Sequence, residues 1–320
     1  VSESEIRSYH GQPVIKQPVW TWEIPTYFFT GGIAGASAGL AYLAELRGND
    51  VLARRAWANA LAGVTISPAL LSSDLGVPIR FMNMLRMIKV TSPMSLGSWS
   101  LAASGSTTGL VVANQLAGVF PRASRLARPL AAVLGLPLST YTAALIANTA
   151  VPVWHEARVE LPFVFASGAA LSAGAAAVAT TPPAHAAPAR RLALAGAALE
   201  IASKQVMEKR LTEHGEPYKR GVGPTLDRAS QACIALGTGL MATRGRRSRA
   251  AARAAGTLLC AGALCARWSV FKAGFESAAD PKYVIGPQRR RVGDGKLDAA
   301  SRPPGTTPAT ERAAQPSAVS

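Results

Sequence analysis

IPTYFFTGGIAGASAGLAYLAEL fills residues 24–46, and its first charged side chain is Glu45, at the far end. A helix needs about 20 apolar residues to cross the ~30 Å of hydrocarbon in a bilayer. Similar stretches recur near 52–73, 94–120, 129–152, 161–180, 188–210, 223–243 and 250–273. The chain reads as an all-α integral membrane protein with eight transmembrane helices in a compact bundle, built as two four-helix halves. A membrane β-barrel would instead show strands of about 10 alternating residues. Outside the expected 24–273 transmembrane domain lie a polar arm, 1–23, and a Pro-, Ala- and Arg-rich tail, 274–320, with the composition of a disordered segment.

The bulk numbers agree with this reading. Of 320 residues, 49% are hydrophobic and 16% charged, whereas soluble domains carry about 25% charged residues. Mean hydropathy is +0.18. Net charge is +16. In a soluble protein that would suggest nucleic acid, but basic residues here flank apolar helices, as at headgroups. Basic and aromatic residues do not interleave as single-strand binders require. Residues 1–19 are too polar for a cleavable signal peptide, so the first apolar helix is expected to direct insertion.

An even number of spans places both termini on one side, A. The opposite side, B, holds thirteen arginines: Arg47, Arg54 and Arg55; Arg122, Arg125 and Arg128; Arg190 and Arg191; Arg244, Arg246, Arg247, Arg249 and Arg253. Only Glu45 and Asp50 oppose them. Short basic loops stay in the cytoplasm. Side B is thus expected to be cytoplasmic, and both termini extracytoplasmic, in the inner or plasma membrane. Small residues at four-residue spacing, Gly31, Gly35 and Gly39 or Gly105 and Gly109, suit close helix contact.

The side A connector between the second and third spans is unusually specific: SSDLGVPIRFMNMLRMIKVTSPMSLGSW, residues 72–99. Phe81, Met84, Leu85 and Ile88 fall at i, i+3, i+4 and i+7, which predicts one apolar face of a short helix ringed by Arg80, Arg86 and Lys89. Such a helix either lies on headgroups or forms a docking platform for a partner.

This stretch resembles the NrfD/PsrC family of membrane quinone-interacting subunits, which shows Asp-Leu-Gly-x-Pro-x-Arg-Phe-x-Asn-Met-Leu-Arg followed by Ser-Pro-Met-Ser-x-Gly-Ser-Trp. WEIPTYFFTGGIAGASAG at 22–39 is similar to that family's first helix, and STYTAALIANTAVPVWHEA at 139–157 to its fourth. The resemblance runs through about residues 20–275, with Val77 where members often carry Arg. It implies a membrane anchor bearing no haem or iron–sulfur cluster. The anchor docks an iron–sulfur, ferredoxin-like subunit joined to a molybdopterin-type catalytic subunit. Electrons would pass between that partner and exchangeable menaquinone or ubiquinone, in a pocket near the docking face. Formate, polysulfide, nitrite, tetrathionate and hydrogen are all open as the partner's substrate; a formate dehydrogenase-like complex is the favoured guess.

A quinone pocket needs hydrogen-bond donors and a proton source. Tyr141, in the fourth span, is the expected phenol donor, and the resemblance favours Tyr there. Trp22 and Glu23 stand at the side A mouth of the first span, as belt aromatic and solvated acid or as quinone contacts. Asp74 ends the second span, either relaying protons or capping the helix that follows. Glu200 and Lys204, four residues apart in the sixth span, and Arg267 in the eighth are ionisable groups at membrane depth, for which function is the default hypothesis. They form the candidate proton pathway, with Arg267 expected to pair with one of them.

Other chemistry finds little support. Cys233, Cys260 and Cys265 lie in apolar segments without zinc or cluster spacing. The histidines, at 10, 155, 185 and 214, avoid the spans, which removes axial haem ligands. No phosphate-binding loop, nucleophile elbow or metalloprotease motif occurs. A secondary transporter and a purely structural anchor are the alternatives; inverted repeats, which would favour transport, are not evident.

Overall fold

The computed structural model describes residues 14–75, 77 and 81–286. It divides into two units, Val1–Val14 with Asp280–Ser320, and Ile15–Ala279. In the first, residues 282–286 are helical, with Ile285 N–H bonded to the Pro281 carbonyl at 2.9 Å. Everything below concerns the second.

That unit is helical, with no strand among the described residues. Its elements are α1 (Glu23–Leu46), α2 (Asp50–Asp74), the single turn α3 (Phe81–Met84), α4 (Pro93–Ala117), α5 (Pro121–Ala147), the short α6 (Pro152–Glu156), α7 (Leu161–Thr180), α8 (Ala187–Leu211), a 3-10 segment (Thr212–Lys219), α9 (Gly223–Thr243) and α10 (Arg249–Ala279). Long helices stand at each of the apolar stretches expected from sequence. Three of them, Pro121–Ala147, Leu161–Thr180 and Arg249–Ala279, are long and apolar enough to cross a membrane by length and composition. The others dilute their apolar residues with Gly, Ala, Ser and Thr or carry charges near their ends.

Local chemistry sets the helix ends. The Asn49 side chain accepts from Leu52 N at 3.2 Å and starts α2. Ser92 accepts from Ser95 N at 3.4 Å, with Pro93 at the first helical position of α4, where a missing N–H costs nothing. Gly118, in the left-handed region at φ 69°, ends α4. The stretch expected at 129–152 is shifted: α5 begins at Pro121 and ends at Ala147. Arg122, Arg125 and Arg128 therefore ride on its first turns rather than in a loop, and Arg128 pairs with Glu45 at 3.5 Å. α10 likewise continues past 273 to Ala279.

Helix α1 is the hub, packing on α2, α5 and α7, while α4 packs on α5, α7 on α8, and α10 on α7 and α9. These pairings sort the long helices into α1, α2, α4, α5 and α7–α10, joined along α1 and α7. α1 crosses α5 closely: a Cβ built on Gly35 would lie 2.2 Å from the Gly135 carbonyl oxygen. Only two glycines permit that approach, and the contact is van der Waals packing of the kind that drives helix association in lipid. Trp154 fills the core near the side A ends. It is fully buried, donates Nε1–H to the Val270 carbonyl at 2.9 Å and stacks on Trp20 at 5.9 Å.

The connector departs from its expected helix. Between α2 and α4 only residues 81–84 are helical among the described residues; 85–92 run as turns, a bend and irregular chain. The cause lies in the serines and tryptophan downstream. Ser95 Oγ donates to the Met87 carbonyl at 3.0 Å and accepts from Lys89 N at 3.0 Å, and Trp99 Nε1–H donates to the same Met87 carbonyl at 3.3 Å. Backbone groups that a longer helix would use are tied to α4 instead. The apolar stripe is thus not a continuous helix face: Met84 and Leu85 are half-buried, but Ile88 is 65% exposed.

Candidate functional site

The starts of α1 and α4 and the ends of α2 and α5 meet at side A, as antiparallel hairpins require. There the Thr21 N–H donates to Asp74 Oδ1 at 3.4 Å, its hydroxyl lies 3.3 Å from the same oxygen, and the hydroxyl also bonds Glu23 Oε2. Two acids 51 positions apart in sequence are thereby gathered on one threonine. A hydroxyl has one proton, so it serves one carboxylate at a time, while the Thr21 N–H stays on Asp74. Among the described residues, the Asp74 oxygen Oδ1 faces Thr21.

One turn inside, Tyr27 of α1 is 1% exposed, and its hydroxyl has no partner among the described residues. Its ring meets the edge of Tyr141 from α5 at 6.3 Å between centroids and 61° between planes. Tyr141 is half-buried, and no hydrogen bond of its hydroxyl occurs among the described residues. The Tyr141 ring lies on Gly97 of α4, where a built Cβ would fall 2.0 Å from Cε2. Gly97 belongs to the Gly-Ser-Trp of the connector motif, so that motif shapes the seat of the tyrosine. A buried polar group left unsatisfied costs about 1–3 kcal/mol. Neither phenol has a protein acceptor among the described residues, so each keeps its O–H as an available donor. Trp22 stands at the rim, 57% exposed.

A second group of ionisable residues lies in the other half. Glu200 and Arg267 are 3% and 2% exposed. Both converge on Gly168 of α7, where a Cβ would lie 2.7 Å from Glu200 Oε1 and 2.6 Å from Arg267 Nη2. Arg267 donates to the carbonyls of Val164 at 3.3 Å and Phe165 at 2.7 Å, and its guanidinium stacks 4.0 Å from the Phe165 ring centre. Neither Glu200 oxygen has a hydrogen-bond partner among the described residues. Lys204 does not pair with Glu200; it forms an ion pair with Asp227 of α9, which also accepts from Gln231 at 3.0 Å. A polar cavity of about 560 Å³ opens at this end, bounded by Glu208, Tyr218 and Asp227 among others. Burial first, then the nearby Glu208 carboxylate, push the Tyr218 phenol above its ordinary pKa, keeping it protonated.

Of the expected docking residues, Arg86 and Lys89 are exposed, with no ion pair among the described residues; Arg80 lies outside those residues. Sequence reasoning missed Tyr27, Thr21 and Asp227. Tyr27 had a signal: a phenol one turn from Glu23 in an otherwise apolar run. Asp227 and Thr21 matter only through long-range pairing, which no local pattern carries. Among the described residues, no group of three His, Cys, Asp or Glu is arranged to hold a metal ion.

A family model described as polysulfide reductase matches residues 7–280. No curated protein matches the chain.

Proposed function

The chain belongs to the polysulfide reductase NrfD family, membrane subunits of oxidoreductase complexes, and from that premise we propose that it is the quinone-reacting anchor of such a complex. In this reading all eight long helices span the inner or plasma membrane, with side B in the cytoplasm and both termini outside. An iron–sulfur subunit, carrying electrons from or to a molybdopterin-type catalytic subunit, docks on side A.

The observation that carries the reading is the buried Tyr27 phenol, without a partner among the described residues, against the half-buried Tyr141 ring, one turn inside the Thr21–Glu23–Asp74 cluster. The residues fit a quinone headgroup: hydroxyl donors for its carbonyl oxygens, aromatic edges for its ring, and acids on the water side. Menaquinone or ubiquinone would supply two-electron, two-proton chemistry. Tyr141 and Tyr27 orient the carbonyl oxygens; Asp74 and Glu23 hold and pass the protons, with Thr21 holding the two carboxylates together; Trp22 flanks the mouth. In the same reading Glu200, Lys204 and Arg267, with Asp227 and the polar cavity leading to it, form a proton route through the second half.

Tyr141→Phe tests the site because it removes the hydroxyl and keeps the ring on Gly97. One hydrogen bond is worth about 0.5–1.5 kcal/mol, roughly a 2- to 12-fold loss of quinone affinity at about 1.4 kcal/mol per factor of ten. Quinone-linked turnover of the complex falls, while electron transfer from substrate to a soluble dye survives. Unchanged turnover and affinity would return Tyr141 to a packing role. Docking has its own test. Arg86→Glu with Lys89→Glu reverses two solvent-facing charges, and the iron–sulfur partner is expected to dissociate in mild detergent while the anchor stays folded. Intact co-purification would leave the connector as a headgroup-lying segment.

A further inference from the structure

A groove of about 890 Å³ runs between α1, α5, α7 and α8 toward side B, distinct from the phenol pair at side A. Its walls are apolar, with Leu43, Leu136, Ala170 and Leu192 among them, and Arg47, Asn49 and Arg191 stand at its side B end. Leu43 and Leu136 are 61% and 68% exposed. From Gly35 to Arg47 the groove follows α1 for about 18 Å at ~1.5 Å per residue. That is close to one leaflet's share, about 15 Å, of a hydrocarbon core ~30 Å thick. The volume lies within the ~300–1,000 Å³ range of ligand clefts.

Two features identify the occupant. Gly39 forms part of the wall, and a Cβ built there meets nothing within 4 Å. Unlike Gly35, it is not needed for a helix crossing; its missing side chain leaves the groove open. At the end, neither Arg47 nor Arg191 has an acidic partner among the described residues, and both are exposed. Arg191 and Arg246 also press electrostatically on Arg190. Arg47 and Arg191 thus stand without an acidic partner among the described residues, at the end of a slot one leaflet long. We propose that this groove holds an anionic phospholipid of the side B leaflet, its phosphate on Arg47 and Arg191 and one acyl chain along Gly39. Arginine suits a phosphate because its planar fork donates two parallel hydrogen bonds. The proposal rests on membrane insertion, not on the quinone reading.

Native mass spectrometry of the full chain in detergent, titrated with phosphatidylglycerol or phosphatidylcholine, tests it. The wild-type chain is expected to retain phosphatidylglycerol roughly tenfold better, about 1.4 kcal/mol. Arg47→Gln with Arg191→Gln abolishes that preference and leaves weak phosphatidylcholine binding unchanged. Gly39→Leu, whose Cβ meets nothing within 4 Å, puts a side chain into the slot and loses both lipids. Equal retention of the two lipids by the wild type, or a preference that survives the double arginine change, overturns the proposal. Displacement of the bound lipid by menaquinone would assign the groove to quinone instead and also overturn it. Loss of quinone turnover elsewhere leaves these readouts unaffected, so the two readings fail separately.

Discussion

Gly97→Ala is expected to lower quinone-linked turnover by about two orders of magnitude. The added Cβ would fall 2.0 Å from Cε2 and 2.6 Å from Cζ of Tyr141, and ordinary contact begins at 3.4 Å. The ring must therefore retreat by about 1.4 Å from its seat. It cannot move deeper without meeting Tyr27, whose ring already contacts it and is fully buried. Its escape is outward, away from the second phenol. A misplacement of about 1 Å at a positioning residue costs on the order of 10²-fold in rate, more than losing the hydroxyl alone. Dye-linked activity of the catalytic partner is expected to persist. Should Gly97→Ala fold poorly, adding Tyr141→Ala removes the clashing ring; the double variant is then expected to fold and still lack turnover. Full turnover in Gly97→Ala would show that the position of Tyr141 does not matter, and would sink the phenol-pair site.

This test also shows why the connector motif is legible as a family mark yet opaque as a mechanism. Its Ser-Pro-Met-Ser and Gly-Ser-Trp residues act across loops: Ser95 and Trp99 capture backbone groups of Met87 and Lys89, and Gly97 clears space for a ring from α5. Periodicity predicts a helix over 81–88 because it sees the apolar spacing of Phe81, Met84, Leu85 and Ile88. It cannot see side chains on α4 competing for the same carbonyls. The long helices were readable because an uninterrupted apolar run has few other folds available, and backbone groups in lipid must bond internally. Their ends were less so: the α5 start carries three arginines, which read as loop although Pro121 opens a helix there. Tyr141, Glu23 and Asp74 could be flagged singly. That Glu23 and Asp74 share Thr21, and that Tyr141 leans on Tyr27, depends on how α1, α2 and α5 pack.

The ionisable residues of the second half give the largest stability effect. Arg267→Met is expected to destabilise the chain by about 1–3 kcal/mol, because the buried Val164 and Phe165 carbonyls lose their guanidinium donor and Glu200, facing Arg267 across Gly168 without a direct ion pair, loses a nearby opposite charge. Glu200 is the group left behind. It is 3% exposed, and its oxygens have no hydrogen bond among the described residues. Lys204, four residues away, is committed to Asp227 on another helix, so it is poorly placed to take over. Methionine roughly preserves apolar volume over the Phe165 ring, which isolates the charge. Arg267→Lys keeps the charge but not the fork that reaches both Val164 and Phe165 carbonyls, and falls between wild type and Met. Removing the stranded charge as well, in Glu200→Gln with Arg267→Met, is expected to recover part of the loss, with a coupling of about 0.5–3 kcal/mol. Thermal melting of wild type, Arg267→Met, Glu200→Gln and the double variant in detergent reads this cycle. Additive losses would show that the two groups act independently across Gly168, and would remove Glu200 and Arg267 as linked members of a proton route.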